Sequence, residues 1–320
     1  MRVFLAGGSG AIGRVLVPRL VAAGHEVAAT TGSPAKASLL ESFGATATVL
    51  DALDEEAVRA AVKKFRPNAL MNQLTSLPKR YNPRRLKPWY EATSRLRVEG
   101  TRILLRAAAE VGADRFVYQS IAFMYAIAGP LVVDEKAPLA LEAPEPFGPT
   151  FRATLEGERL ATSVEGIEGV VLRYGQLYGP GTYFAADGDF ARQARMRLLP
   201  ILGGGGGIFS FLHVNDAATS ALAALEHGSG VYNITDDDPA PGREWIPAFC
   251  AELGAPRPLR LPAWLARIPA GGFATALLTD GRGASNAKAK RELGWSPSRA
   301  TWRAGFLAAQ PPRLGSASHR

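Results

Sequence analysis

The sequence predicts an α/β chain: a doubly wound parallel sheet followed by a smaller C-terminal lobe that binds substrate. Three observations carry this expectation. An apolar strand opens the chain and runs directly into a glycine turn and an amphipathic helix. Strand and helix patterns then alternate with short connections through the first half, which is the pattern of a parallel sheet. After Tyr174 the alternation loosens, and short helices separated by prolines take over.

Val3 to Ala6 is an apolar run suited to a strand buried on both faces. Gly7, Gly10 and Gly13 follow, with an extra Gly8. Ala11, Ile12, Val15, Leu16 and Leu20 then fall at helical spacing. A glycine turn lets backbone N–H groups approach a pyrophosphate, and the helix N-terminus adds a favourable dipole. Gly7, Gly10, Ala11, Ile12 and Gly13 are therefore read as a dinucleotide-binding turn. The plainer use of the same glycines is tight strand–helix packing.

The second strand is expected at Glu26–Thr30, followed by Thr31-Gly32-Ser33-Pro34, with Pro34 in the first helical turn and Ser33 as its cap. An acid at the end of this strand would bond the adenosine ribose of NAD and repel the extra phosphate of NADP. No acid occurs between Val27 and Glu41. Thr31, Ser33 and Lys36, helped by Arg14, can hold a 2′-phosphate instead, so NADP is expected in preference to NAD. Ala45–Leu50 reads as the third strand. Asp51 ends it, beside Ala52, where an acid can meet the adenine amino group, and Asp54 caps a helix over Glu55–Phe65.

Asn68–Leu74 reads as the fourth strand. Its end, Gln73, Leu74 and Thr75, should lie over the cofactor, because ligands sit at the carboxyl ends of parallel strands. A basic, proline-punctuated loop spans Ser76–Pro88, and a long helix spans Tyr90–Glu110. Arg115–Gln119 is the fifth strand, with Ser120 just beyond it. The loop Ile121–Pro149 is long enough to be functional. A helix over Thr150–Ser163 and a sixth strand, Gly169–Tyr174, complete a core of residues 1–174. Residues 175–309 form mainly the substrate lobe, with 209–235 returning to the core, and 310–320 read as a disordered tail. Gly203–Gly207 reads as a flexible hairpin turn.

Composition excludes several classes. The only cysteine, Cys250, rules out an internal disulfide, and four scattered histidines give no metal cluster. No apolar stretch is long enough to cross a membrane, and the chain enters its first strand without a leader, so the cytoplasm is the expected location. The net charge is +8. Lys79, Arg80, Arg84, Arg85 and Lys87 crowd one loop, and Arg95, Arg97, Arg102 and Arg106 follow on a helix. Without a recognition motif this reads as a solvated basic surface, and no nucleic-acid partner is expected.

These features together resemble the extended short-chain dehydrogenase/reductase family, also called the NAD-dependent epimerase/dehydratase family. The resemblance covers almost the whole chain. It rests on Gly7-x-x-Gly10-x-x-Gly13, Asp51, Val98-Glu-Gly-Thr101, Arg115-Phe-Val-Tyr-Gln-Ser120, Leu172-Arg-Tyr-Gly-Gln-Leu-Tyr-Gly-Pro-Gly181, Phe211-Leu-His-Val-Asn-Asp216 and Glu292-Leu-Gly-Trp-Ser-Pro297. It implies a Rossmann-type core, a nicotinamide cofactor, Asp51 as the adenine contact, Ser120 as the catalytic serine and a homodimer through the long helices.

The family's Tyr-x-x-x-Lys pair is absent. One register places Thr150 and Thr154 at the tyrosine and lysine positions. The other, Phe147-Gly-Pro-Thr-Phe151, places phenylalanine at both. No lysine lies between Lys136 and Lys288, and Arg97 stands where the family's helix-four asparagine is expected. A threonine hydroxyl does not shuttle protons near neutral pH. The expected catalytic pair is then Ser120 with Tyr125, and the expected substrate contacts are Tyr178, Tyr183 and Thr150. The function expected is a noncanonical oxidoreductase or epimerase on a small metabolite. A non-redox dehydratase, cyclase or isomerase of secondary metabolism and a non-catalytic NADP-sensing protein are the alternatives.

Overall fold

The computed structural model describes residues 1–78, 80, 82, 86–265 and 271–308. The expectations for Lys79, Arg84, Arg85 and the 310–320 tail lie outside these residues. The first half contains β1 (Arg2–Ala6), α1 (Gly13–Ala22), β2 (Glu26–Thr31), α2 (Ala37–Ser42), β3 (Thr46–Val49), α3 (Glu55–Phe65), β4 (Ala69–Asn72), α4 (Leu86–Arg95), α5 (Thr101–Val111) and β5 (Arg115–Ile121). Then come β6 (Val132–Val133), α6 (Phe147–Thr162), β7 (Glu168–Tyr174), β8 (Gln176–Tyr178), α7 (Asp189–Arg195), β9 (Ile201–Leu202), β10 (Ile208–Phe209), β11 (Phe211–His213), α8 (Val214–Ala223) and β12 (Gly230–Ile234).

The central sheet has seven strands in the order β12-β7-β5-β4-β1-β2-β3, and every pairing in it is parallel. The chain starts in the middle of the sheet, winds outward to β3, and then crosses to build the other half. That reversal between β1 and β4 leaves a crevice at the carboxyl ends of these strands. Alternate residues of β1 feed the two faces. Val3 and Leu5 pack with Leu16, Val17, Ala217 and Ala221 under α1 and α8, while Phe4 packs with Val58, Val62, Leu104 and Phe116 under α3 and α5. A separate aromatic core, including Tyr178, Phe184, Phe211, Trp245, Phe249, Trp302 and Phe306, holds the C-terminal lobe.

Several local expectations are corrected. Ser33 precedes a short 3-10 turn, Pro34–Lys36, and its side chain makes no capping bond, whereas Asp54 does cap α3, accepting the Ala57 N–H at 3.0 Å. The long helix is α4 and α5 joined by a π-helical segment, Leu96–Gly100. Within that segment Arg97 is buried, 7 % exposed, and does not belong to the solvated basic surface. Ser120 lies inside β5 and α6 begins at Phe147, so both Thr150 and Phe151 are helical.

The run Gly203–Gly207 is not a hairpin. β9 pairs with the strand Arg260–Leu261, and β10 pairs with Ala240–Pro241. The run instead lets the helix Gly272–Asp280 press close. A Cβ at Gly207 would stand 2.4 Å from the Leu277 carbonyl oxygen, and one at Gly206 2.7 Å from that of Thr279.

Candidate active site

The glycine turn is a cradle that side chains would fill. Gly7 has φ +90°, and a Cβ there would lie 2.7 Å from the Gln73 carbonyl oxygen. A Cβ at Gly13 would lie 2.4 Å from the Gly8 carbonyl oxygen. The Gly10 N–H closes the turn on the Gly7 carbonyl at 3.1 Å. Close backbone packing thus sets the turn against the start of α1, where the N–H groups of Ala11, Ile12 and Gly13 have no backbone partner among the described residues. Ala11 faces the turn after β8: a Cβ on Gly181 would lie 3.7 Å from that of Ala11. Ile12 is buried behind the cradle.

Beside it, Gln73 donates from Nε2 to the Tyr174 hydroxyl at 3.4 Å. Its Oε1 is buried without a partner among the described residues. Leu74 is held by Asn72 Oδ1, which accepts its N–H at 3.0 Å, and Thr75 is exposed at the rim. Such a cradle with an orphaned amide oxygen at its edge fits a dinucleotide.

The end of β2 forms a second, polar corner. The Ser9 and Thr31 hydroxyls are 2.9 Å apart, and Thr31 Oγ1 accepts the Ser33 N–H at 3.2 Å. Arg14 donates from Nε to the Ser9 carbonyl at 3.1 Å, and both Arg14 and Lys36 are exposed beside this corner. Ser9 was not singled out by sequence reasoning, because a serine in a glycine turn carries no pattern of its own. Asp51 is exposed and accepts the Leu53 N–H at 3.0 Å. Ala52 is buried, with its carbonyl 3.9 Å from where a Gly100 Cβ would stand.

The hydroxyls expected to do chemistry are already committed. Ser120 is fully buried and donates to Glu158 Oε1 at 2.5 Å. Glu158 is in turn held by Arg173, from Nε at 2.8 Å and Nη2 at 2.6 Å. Tyr125, 2 % exposed, donates to Asn233 Oδ1 at 2.6 Å and accepts from Arg173 Nη1 at 3.0 Å. Burial pushes the Tyr125 phenol above its ordinary value, outweighing the Arg173 charge. Burial alone would lower the Arg173 guanidinium, but Glu158 holds it above its usual range. Ser120 and Tyr125 are thus brought into one network in which both hydroxyls are bonded, while Asn233 Nδ2 has no partner among the described residues.

The substrate contacts fare similarly. Thr150 donates to the Pro146 carbonyl at 2.8 Å and is buried in the first turns of α6. Tyr178 is corrected outright: it is fully buried in the aromatic core, edge-on to His213 at 5.0 Å, and does not face the crevice. His213 accepts the Asn215 N–H on Nδ1 at 3.2 Å, capping α8, and burial lowers its pKa to about 4. Tyr183 remains half-buried and donates to the Pro78 carbonyl at 2.6 Å.

Phe147, Phe151, Thr154 and Glu158 fall at spacings of four, three and four, one face of α6. The inner end of that face is polar. Thr154 accepts from Arg97 Nη1 at 2.6 Å and donates to the Thr150 carbonyl at 2.8 Å. The end nearer the crevice is aromatic. Phe151 packs with Ile121 and Met124 at the carboxyl end of β5, and with half-buried Phe147 and Phe273. Phe147 and Phe273 have centroids 5.2 Å apart, and Tyr90 lies 5.9 Å from Phe147. Phe273 comes from the C-terminal lobe and has no sequence signal linking it to α6. The pairing of Glu158 with Arg173 has no sequence signal either, since a buried ion pair between distant elements leaves no local pattern.

The model of the NAD dependent epimerase/dehydratase family matches residues 3–235. A 3-diazoavenalumate denitrifying reductase from a Streptomyces species is 46 % identical over 309 residues, covering 96 % of this chain and 99 % of that protein. A 4-hydroxy-2-methyl-3-oxo-4-farnesyl-3,4-dihydroquinoline-1-oxide ketoreductase from Stigmatella aurantiaca is 29 % identical, with both chains fully covered. Among solved structures, the UDP-glucose 4-epimerase of Thermotoga maritima superposes with a TM-score of 0.75 at 20 % identity, covering 97 % of each chain. A human epimerase family protein with NADPH gives 0.74 at 22 % identity, covering 97 % of this chain and 99 % of that one. At these identities the structural likeness speaks for the fold.

Proposed function

The chain belongs to the NAD-dependent epimerase/dehydratase family, as an NAD(P)-dependent oxidoreductase, and on that premise we propose that it reduces a small-molecule diazo compound, in its diazonium form, using NADPH. The observation that carries this reading is the aromatic face of α6. Where proton-transfer residues would be expected, Phe147 and Phe151 meet Ile121, and the nearby hydroxyls of Ser120, Tyr125, Thr150 and Thr154 are bound to structural partners. Such a site is suited to a reduction that needs no proton from the protein.

Reduction of a carbonyl needs such a proton, because an alkoxide forms. A diazonium group does not. It takes up a hydride to give R–N=N–H; the carbon–nitrogen bond then breaks, N₂ leaves and the hydrogen ends on carbon as R–H. The substrate gains two electrons and the nicotinamide loses them. The bound reduced nicotinamide supplies that hydride. The chain's own residues hold the pyrophosphate at Gly7–Gly13 and set Phe147, Phe151 and Phe273 at the end of β5. The 46 % relative, by its name, removes nitrogen from a diazo compound.

The preference for NADPH rests on the corner of Ser9, Thr31 and Ser33, with exposed Arg14 and Lys36 beside it and no acid on that segment. The bonded hydroxyls also favour a second reading, a non-catalytic NADP sensor.

One experiment separates the two. The purified protein is incubated with NADPH and a ¹⁵N-labelled arenediazonium carboxylate. One N₂ released per NADPH oxidised is expected. Nitrogen release no faster than without protein, or release with no NADPH consumed, overturns the diazo reading.

A further inference from the structure

Arg97 is a buried cation with too few partners. It is 7 % exposed, and only Nη1 is bonded, to Thr154 Oγ1 at 2.6 Å. A guanidinium carries five N–H donors, and the others have no partner among the described residues. They are not sealed in either, since no Arg97 nitrogen is among the fully enclosed polar atoms without a partner. Its neighbours in charge are the Tyr118 and Tyr90 phenols and Glu158, and Glu158 is already engaged on both oxygens by Arg173 and Ser120. The three buried charges of Arg97, Arg173 and Glu158 therefore leave one positive charge unmatched. Burying an unpaired charge is costly, so this arrangement is complete only with an anion.

The backbone that presents Arg97 is unusual as well. It sits in the π-helical segment Leu96–Gly100, a distortion frequent at functional sites. Thr154, its one partner, is a single turn along α6 from Phe151. Tyr90, close enough to influence Arg97, stands against Phe147. The space around Tyr90 is thus shared by the unmatched cation and Phe147, on which Phe273 packs from the other lobe.

We infer that this space takes an aromatic carboxylate, with its ring against Phe147 and Phe273 and its carboxylate on Arg97. The inference deepens the proposed function and rests on the same cleft being the substrate site. A planar fork matches a carboxylate in two parallel hydrogen bonds, and half-exposed rings favour offset or edge-on contact with another ring.

The test uses binding, so it does not depend on turnover. trans-Cinnamate and cinnamamide are titrated into the wild-type protein with NADP⁺ bound. Cinnamate should bind at least about tenfold more tightly, as expected for a charge-assisted pair. Arg97→Met should remove that preference while changing NADP⁺ affinity less than about twofold, and Arg97→Lys should restore part of it. Phe273→Leu should weaken both ligands equally.

Equal wild-type affinity for acid and amide overturns the inference, even if Arg97→Met fails to fold. So does an Arg97→Met protein that loses NADP⁺ as strongly as cinnamate, because Arg97 would then serve the cofactor. A wild-type protein that prefers cinnamate but releases no N₂ retains this inference and loses the diazo reading. One that releases N₂ without the preference does the reverse.

Discussion

Glu158 and Arg173 face each other as a two-pronged ion pair beneath the crevice, with side chains 2 % and 5 % exposed. The pair joins α6 to β7, and through Ser120 it also reaches β5. The roll of α6 depends on it. Seven residues from Glu158, on the same face, Phe151 is aimed at the end of β5. A buried polar lock therefore positions an apolar working surface.

Removing one side of that lock should be severe. Glu158→Ala leaves a buried guanidinium and a serine hydroxyl without their acceptor, a change that costs about 3–5 kcal/mol. Arg173→Met should cost a similar amount. The double variant should cost much less than the sum, because neither charge is then left alone. Urea unfolding of the four proteins measures the coupling, and additive losses would mean that the two residues do not act as a unit.

Ser120→Ala and Tyr125→Phe separate structure from chemistry. Ser120→Ala deletes one buried hydrogen bond and Tyr125→Phe two, each worth about 1 kcal/mol. If catalysis needs no protein proton, the turnover rate should stay within about threefold of the wild type. A general acid or base contributes about 10²–10⁴-fold, so a loss of that size in either variant would return the proton role to it.

Stability should depend on pH through two buried groups of opposite sense. Asp236 is 2 % exposed, with Oδ2 unpartnered among the described residues, and burial pushes its carboxyl from 3.8 to about 8. Between those values the folded state keeps a proton that the unfolded chain has lost, so stability falls as pH rises. For His213, lowered from 6.5 to about 4, the unfolded chain holds the extra proton and stability rises with pH over that interval. Each slope is about 1.4 kcal/mol per pH unit, so these two offset each other between pH 4 and 6.5, where Glu252, raised by burial from 4.5 to about 7, adds a further fall. Above pH 7 Asp236 acts alone, and stability should drop by about 1.4 kcal/mol between pH 7 and pH 8. Urea midpoints measured across this range should show the drop in the wild type and a flat line for Asp236→Asn. A drop that persists in the variant assigns it to another group.

The parallel sheet was legible because each strand is a short apolar run and each helix carries its own periodicity, as Val3–Ala6 and Glu55–Phe65 show. The glycine cradle was legible because backbone contact at Gly7 and Gly13 excludes every other residue. The inner site was not. Whether Ser120 points into the crevice or into the sheet–helix interface depends on a one-residue strand boundary, since adjacent side chains face opposite ways. Tyr178 lies in a motif with strong local signal, but its burial is set by Phe211 and Phe306, far along the chain. Arg97 looked like one more surface arginine because neither the π-helical segment nor Thr154 can be read from its neighbours.

The corner at the end of β2 makes the final prediction. Ser9 and Thr31 present hydroxyls 2.9 Å apart, and Arg14 and Lys36 are exposed beside them. A 2′-phosphate held there would gain from both cations, whereas the bare ribose of NADH would not. An exposed cation paired with an anion contributes up to about 1 kcal/mol. Lys36→Ala should therefore weaken NADPH by about fivefold, and Arg14→Ala with Lys36→Ala by about 25-fold, while NADH affinity stays within about twofold. Raising the salt concentration should narrow the wild-type preference in the same direction, because exposed charges are screened. Reduced-nicotinamide fluorescence reports both affinities directly. Equal losses for NADH and NADPH would move the phosphate away from this corner and leave the cradle at Gly7–Gly13 as the sole anion site of the turn.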